Sequence, residues 1–400
     1  MSKSNTKKRF SLWMPKGYDV AIHVAIIVLV LFGVVMVGSA AMGLAVGNNT
    51  YLLVTVAKQI LFGVFGYIAM TYLANHFKIS FLRSTSFPIV IFITVGLLLS
   101  CLLFDAQFGS KAWISLSAFG QSITIQPSEF AKITTILIVA AYCGDVKKEF
   151  KSAKDLLLRP VLFSGIMILI VMLLQKDFGS AVVIFLITCV VLLIPNNALM
   201  RKFQVVLKVL FWVTLAGVIY ILSPAGESFI NSLPLKDYQK DRFLSALNPF
   251  EDKYGRGYQL VNGLVSFATG GWFGTGFGTS IRKYTNFPAA HNDFILAILV
   301  EELGFVGFLF LMLLYGVIIF RLLHFASIIK SEKAKIILIG TAMYLLIHMV
   351  FNIGGVTGLL PLTGVPLLVI SAGGSSTMSF MACIGLSQAV ISQYRRKEIA

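Results

Sequence analysis

Charge is scarce in this chain. Only 12% of its 400 residues are Asp, Glu, Lys or Arg, about half of the ~25% typical of a soluble domain, and mean hydropathy is +0.87. Such a composition leaves too little polar surface for a water-soluble globule or a disordered regulator. Cysteine is equally scarce. Cys101, Cys143, Cys189 and Cys383 each stand alone in or beside an apolar run, and no CxxC or other metal-ligand spacing occurs. A disulfide framework and a structural zinc site are excluded on that ground, leaving small apolar packing as the role of these thiols. Internal repeats are missing too, which weighs against the inverted-repeat plan found in many transporters.

What remains is apolar sequence in long runs. A membrane-spanning helix takes about 20 such residues, and ten stretches qualify: 20–44, 52–74, 87–104, 127–143, 160–176, 178–195, 204–222, 292–320, 336–356 and 365–391. The polar break Gln175-Lys176-Asp177 makes the fifth and sixth a tight hairpin, not one long helix. The expected fold is an all-α polytopic membrane protein, with a basic tail over 1–19, a single integral domain over 20–391 and a short tail over 392–400. The first apolar run is too long for a signal-peptide core and reads as an uncleaved anchor.

Lysine and arginine set the orientation, because cytoplasmic loops carry their excess. With the N-terminus inside, Lys3, Lys7, Lys8, Arg9 and Lys16, the 147–159 cluster, and Arg395, Arg396 and Lys397 all fall in the cytoplasm, as do most of the 33 basic residues. Both termini are then inside, which an even number of spans requires. The net charge of +16 is mostly topological. Basic residues dispersed among short loops make no nucleic-acid-binding face.

Two outside loops are long, 105–126 and 223–291. The second is far longer than an ordinary connection and is therefore a functional element. Its GYQLVNGLVSFATGG stretch predicts an interfacial helix or re-entrant segment. It also carries Lys236, Lys240, Arg242, Lys253, Arg256, Arg282 and Lys283, an unusual basic content for an outside loop. These residues form either a solvated face or a site for an anionic headgroup, with Arg282 and Lys283 best placed near the membrane. The amides of GTGFGTS, 274–280, could face a phosphate or serve close packing.

The most telling run is 287–303, FPAAHNDFILAILVEEL. An ionisable side chain inside a span costs roughly 2.5–3.5 kcal/mol on insertion scales, so Asp293, Glu301 and Glu302 in one span point to a membrane-embedded site. Asp293 stands at the outer lip, where it could also cap the helix. On an ideal helix Glu301 lies about 80° and Glu302 about 180° around from it, so at most one can share its cavity. His291 is a lone neighbour. In the fourth span Glu129 and Lys132, at i and i+3, share a face, either as a mutually compensating buried pair or as the lining of a polar cavity. Lys111 and Trp113 can reach the same region from the preceding loop. Asp177 reads as a helix cap or a functional acid, and the glycines and serines of 371–377 as close-packing residues.

Taken in order, VMVGSA, GSKAWI (109–114), QPSEFAK (126–132), QKDFGSA (175–181), RFLSALNPFEDKYGRGYQ (242–259), GGWFGTGFGTS, HNDFILAILVEELG (291–304) and PLTGVPLLVISAGGSS (361–376) resemble the SEDS family of shape, elongation, division and sporulation proteins. The likeness covers nearly the whole chain. It implies a peptidoglycan glycosyltransferase that polymerises lipid II beside a class B penicillin-binding protein and other division or elongation proteins. It carries a catalytic aspartate onto Asp293 and cavity roles onto Lys111, Trp113, Glu129 and Lys132. The chain departs from the family pattern at Lys176 (usually Pro), Ala372 (Tyr), Asn292 (Thr) and Ala289-Ala290 (Pro-Glu). The glycine-rich and ALNPF spellings and the basic tail are more like the FtsW division branch of Gram-positive-type bacteria than the RodA elongation branch, which places the protein at the septum.

The expected chemistry needs a base for a sugar 4-hydroxyl and positive charge for a departing polyprenyl pyrophosphate. Asp293 is the candidate base, and Lys111, Arg282 and Lys283 are the candidate pyrophosphate ligands. A divalent cation such as Mg or Mn is an open addition. A lipid II flippase and a recruiting scaffold are the other classes, and the scaffold leaves the intramembrane charges without a purpose.

Overall fold

The computed structural model describes residues 12–46, 49–107, 109–118, 121–146, 150–223, 225–232, 237–285, 287 and 289–399. Lys3, Lys7, Lys8, Arg9, Lys147, Lys148 and Lys236 of the expected basic groups lie outside the described residues. Each apolar stretch falls on a helix: α1 (Val20–Ala41), α2 (Asn49–His76), α3 (Phe87–Ser100), α4 (Pro127–Cys143), α5 (Ala153–Leu169), α6 (Phe178–Leu192), α7 (Arg201–Ile221), then α11 (Ile295–Ile328), α12 (Glu332–Thr357) and α13 (Gly374–Arg395). Among the described residues, six of these helices are long and apolar enough to cross a membrane.

Local chemistry sets the boundaries. The Asp19 carboxylate accepts from the N–H of Ile22 and caps α1, Pro127 opens α4 where no backbone donor is needed, and Ser331 caps α12. Asp177 caps α6 by accepting from the N–H of Ser180 at 3.0 Å, after a left-handed Lys176 (φ 58°) closes the expected hairpin. Beneath the surface α13 runs along α2, α11 lies against α1 and α12, and α4 packs among α5, α6 and α12. No residue of α7 is buried.

Three features differ from the sequence reading. The loop over 105–126 holds an antiparallel hairpin, β1 (Ile114–Ala118) with β2 (Gln121–Ile125), pairing Ile114 with Ile125; the alternation in QSITI is its signal, and the fold is helical apart from it. The last span is helical only from Gly374, and the residues ahead of it form an irregular segment with left-handed Gly364 and Val369. The eighth runs through Ile328 and starts at Ile295, so Asp293 precedes it.

The long loop folds into α8 (Gly226–Ser232), α9 (Asp237–Leu247) and α10 (Tyr258–Gly270). The α10 helix covers the stretch expected as an interfacial helix or re-entrant segment, and it packs on α11 and α12. Beyond it the glycine run supports a break in α11 at Gly304 (φ 69°, ψ −169°). Backbone groups freed inside a bilayer must find partners within the protein. Here the Glu301 and Glu302 carbonyls accept from the N–H groups of Thr275 and Gly276, while the N–H groups of Phe305 and Val306 donate to Gly271 and Trp272. These amides are thus committed to α11 rather than to a phosphate. A Cβ on Gly304 would fall 2.4 Å from the Gly274 nitrogen and the Trp272 oxygen, in a conformation L-residues avoid. Gly304→Ala is therefore expected to remove most of the monodisperse protein recovered in detergent, read by size-exclusion chromatography; a wild-type yield would refute this account of the break.

Candidate functional site

Four elements converge at the end of α11 that carries Asp293. A turn with left-handed Ala289 (φ 55°) receives the N–H groups of Asn292 and Phe294 on the Ala289 carbonyl. It delivers Asp293 just ahead of the helix. Phe294, not Asp293, takes the cap position, and it makes no side-chain capping bond. The capping role open in the sequence is therefore not the one Asp293 fills. Its neighbours are Gly364 of the irregular segment, whose Cβ would lie 3.8 Å from Asp293 Oδ2, and Arg242 of α9, which donates to the Leu362 carbonyl at 3.1 Å.

Asp293 is partly buried, and among the described residues no hydrogen bond engages its carboxylate. Burial pushes its pKa up to about 6, against the opposing pull of the Arg242 charge. This is the poise a general base needs near neutral pH. Burial likewise pushes His291 below the usual imidazole range, and its Nδ1 has no partner among the described residues. Arg242 escaped notice in the sequence as one of seven loop cations. Its position at the head of the RFLSALNPF motif was the available signal.

The N-terminal ends of α4, α6 and α13 join the same region. Gln126 donates to Asp177 Oδ2 at 2.8 Å, and its backbone N–H donates to Ser375 Oγ at 2.9 Å. Gly179 lies so close to Thr363 that a Cβ would approach its carbonyl to 2.6 Å. Lys111 is exposed, its backbone N–H tied to the Gln175 carbonyl at 2.9 Å. Trp113 is partly buried at the start of the hairpin. Arg282 is partly buried and donates to Asn262 of α10 at 3.3 Å.

The remaining candidates sit elsewhere. Glu129 and Lys132 are 1% exposed and pair at 2.7 Å inside the bundle. Tyr344 donates to the other Glu129 oxygen, and Lys132 donates to His348 Nε2 at 2.9 Å. Since the Pro366 carbonyl can only accept, His348 Nδ1 carries the proton that reaches it at 3.0 Å, which leaves Nε2 as the acceptor for Lys132. The pair is thus neutralised in the interior and does not line the lip.

Lys283 requires a correction. Its side chain is fully buried, with Nζ 2.9 Å from Glu302, 3.1 Å from Ser39 Oγ and 2.7 Å from the Gly278 carbonyl. An ammonium desolvated this far survives only by pairing, and Glu302, buried beside it, is the partner that holds it inward. Glu301 accepts from Ser266 and Ser280. Among the described residues neither glutamate bonds to Asp293: both lie about two turns further along α11 and are engaged by Ser266, Ser280, Ser39 and Lys283. Among the described residues no three His, Cys, Asp or Glu side chains cluster as a metal site. A divalent cation at the lip would take a single carboxylate from Asp293 and its other ligands from phosphate and water, a mode that suits magnesium.

Comparison with known proteins gives a consistent picture. The profile of a cell cycle protein family, FtsW/RodA/SpoVE, matches residues 20–397. A probable peptidoglycan glycosyltransferase FtsW from Coxiella burnetii is 32% identical over 92% of this chain and 95% of its own length. One of the same description from Bacillus subtilis is 32% identical over 93% of this chain and 90% of its own. A solved chain described under structural coordination of polymerization and crosslinking by a peptidoglycan synthase complex superposes with a TM-score of 0.69 at 25% identity, covering 94% of this chain and 98% of that one.

Proposed function

This chain belongs to the FtsW/RodA/SpoVE family, and from that membership together with the poise of Asp293 we propose how it works. It is a peptidoglycan glycosyltransferase and a multi-pass membrane protein. Ten spans with both termini in the cytoplasm put Asp293, Lys111 and Arg242 at the outer face. The substrate is lipid II, whose polyprenyl tail stays among the lipids while its headgroup projects into the mouth formed by Asp293, Gly364 and the outer ends of α4 and α6.

The Asp293 carboxylate takes the proton from the 4-hydroxyl of the acceptor sugar as that oxygen bonds to the anomeric carbon of the donor. The bond from that carbon to the pyrophosphate breaks, and polyprenyl pyrophosphate departs with the electron pair. Lys111, exposed ahead of the hairpin, and Arg282 supply positive charge for the leaving group; a divalent cation, if used, would be held by Asp293 and would add to that charge. Arg242 is already bonded to the Leu362 carbonyl and so is fixed beside the base. Holding both substrates in the bilayer plane removes much of the entropic cost of their encounter. A class B penicillin-binding protein crosslinks the product, and the division branch of the family places the pair at the septum.

One observation carries this reading: a partly buried carboxylate, with no hydrogen bond among the described residues and with its pKa raised to about 6, at the end of α11. The test is glycan-strand synthesis from lipid II by the purified chain with its partner transpeptidase. A base acts when deprotonated, so the rate should fall as pH drops through about 6. Arg242 holds the carboxyl below where burial alone would put it. Arg242→Ala should therefore move that acid limb to higher pH. A limb that stays in place, or moves down, would separate the titration from Asp293.

A further inference from the structure

One side chain ties both walls of the mouth together. Asn352 of α12 is 3% exposed, and its amide group donates to two carbonyls at once, that of Asp293 at 2.8 Å and that of Val365 at 3.0 Å. The first belongs to the turn that presents the carboxylate. The second follows Gly364, the residue whose backbone stands against that carboxylate. One turn earlier on the same face of α12, His348 holds the next carbonyl, that of Pro366. Residues four apart on a helix stack above one another, so the two side chains grip consecutive carbonyls of an otherwise irregular segment.

The amide has a cost that packing alone does not explain. Its Oδ1 is buried with no hydrogen-bond partner among the described residues, and an unsatisfied buried acceptor is destabilising. Both Nδ2 bonds go to backbone carbonyls, which fixes the orientation of the amide, because the opposite one would set oxygen against oxygen. A leucine or methionine would fill the place without an orphaned acceptor, but it could not join the two segments.

From this bridge we infer that Asn352 is a positioning residue for the reaction, holding the Asp293 turn and the Gly364–Pro366 segment at one fixed separation. It touches neither substrate nor leaving group, and it acts through Asp293. The inference rests on the reading of Asp293 as the base. The charge that acts on that carboxylate is that of Arg242 from α9, which bonds to the Leu362 carbonyl rather than to Asn352; His291 lies two residues before it in the same turn. Released from Asn352, the turn relaxes outward and its carboxylate becomes more hydrated.

The experiment uses the full-length chain with its partner transpeptidase and lipid II, and compares Asn352→Ala, Asn352→Ser and Asp293→Asn. Asn352→Ala should lower kcat at least tenfold with KM within about twofold of wild type, and should move the acid limb to lower pH. Asn352→Ser keeps one short donor and should fall between the two on both measures. It also answers the question where the alanine variant fails to fold. A wild-type kcat and acid limb in either folded variant overturns the inference, and so does a loss carried by KM alone or a lower kcat with an unmoved limb. If Asp293→Asn polymerises normally, the base assignment fails first. If it is inactive while Asn352→Ser matches wild type, only the positioning role falls.

Discussion

Asp293→Asn is expected to make no glycan above background while reaching the membrane, folding and binding its transpeptidase as wild type does. The substitution swaps one oxygen for an amide nitrogen of nearly equal size. Among the described residues the carboxylate has no hydrogen bond to lose, and its neighbour Arg242 is anchored independently on the Leu362 carbonyl. Folding therefore tolerates the change. What disappears is the carboxylate whose pKa burial raises to about 6, and removing a positioned general base costs about 10²–10⁴ in rate. Asp293→Glu restores a carboxylate but displaces it by about one methylene, and misplacement of about 1 Å can cost about 10². It should therefore recover some of the lost rate. The measurement is strand length and yield on a gel with labelled lipid II. Normal strands from the asparagine variant would remove the base assignment, and with it the mechanism.

The order wild type, glutamate, asparagine also separates a base from a purely electrostatic role. Both carboxylates keep the negative charge, so a charge-only role would leave the glutamate variant close to wild type at every pH. A base that must reach a hydroxyl proton cannot tolerate the shift so easily. Its acid limb should persist in the glutamate variant and vanish in the asparagine variant, whose residual rate no longer titrates near pH 6.

Much of this was readable before any coordinates. Hydropathy put an apolar stretch on each of α1 to α7 and α11 to α13, although the last is helical only from Gly374, because a span must satisfy its own backbone and fill about 20 positions with apolar residues. The hairpin at Gln175–Asp177 and the helix α10 within the long loop followed from local polarity and loop length. The insertion cost of the carboxylates of 287–303 drew notice to that run, yet Asp293 precedes the helix and Glu301 and Glu302 find their partners inside the bundle. What stayed hidden was long-range. Nothing near Lys283 in sequence reveals that Ser39 of α1 and Glu302 of α11 close around its ammonium. A basic residue in an outside loop is reasonably read as an anion ligand until its partners are seen. The break at Gly304 was hidden for a related reason: a glycine inside an apolar run looks like packing, and only the apposed Gly271–Gly276 backbone shows that it ends one helix segment and starts the next. Asn352 was silent because a lone amide in a span has no pattern, and its meaning lies in two carbonyls that belong to other segments.

The Lys283–Glu302 pair offers the sharpest test of where structure and sequence part. Removing one member should destabilise the protein severely. Lys283→Met leaves the Glu302 carboxylate in the interior with Ser39 and Ser280 as its donors among the described residues, and breaking a buried pair this way costs about 3–5 kcal/mol. Glu302→Gln strands the ammonium with Ser39 and the Gly278 carbonyl. Each single variant should melt well below wild type in detergent and yield little protein. The double variant, Lys283→Met with Glu302→Gln, buries neither of these two charges. Replacing a buried pair by neutral groups of similar volume is often close to neutral, so most of the lost stability should return. Activity then decides the role. If Lys283 only pins the outside loop to α1 and α11, the folded double variant polymerises lipid II within a few-fold of wild type. If its ammonium instead reaches the departing pyrophosphate in the working enzyme, the double variant is stable, monodisperse and inactive, and the loop must open during turnover to release a charge that this structure seals inside.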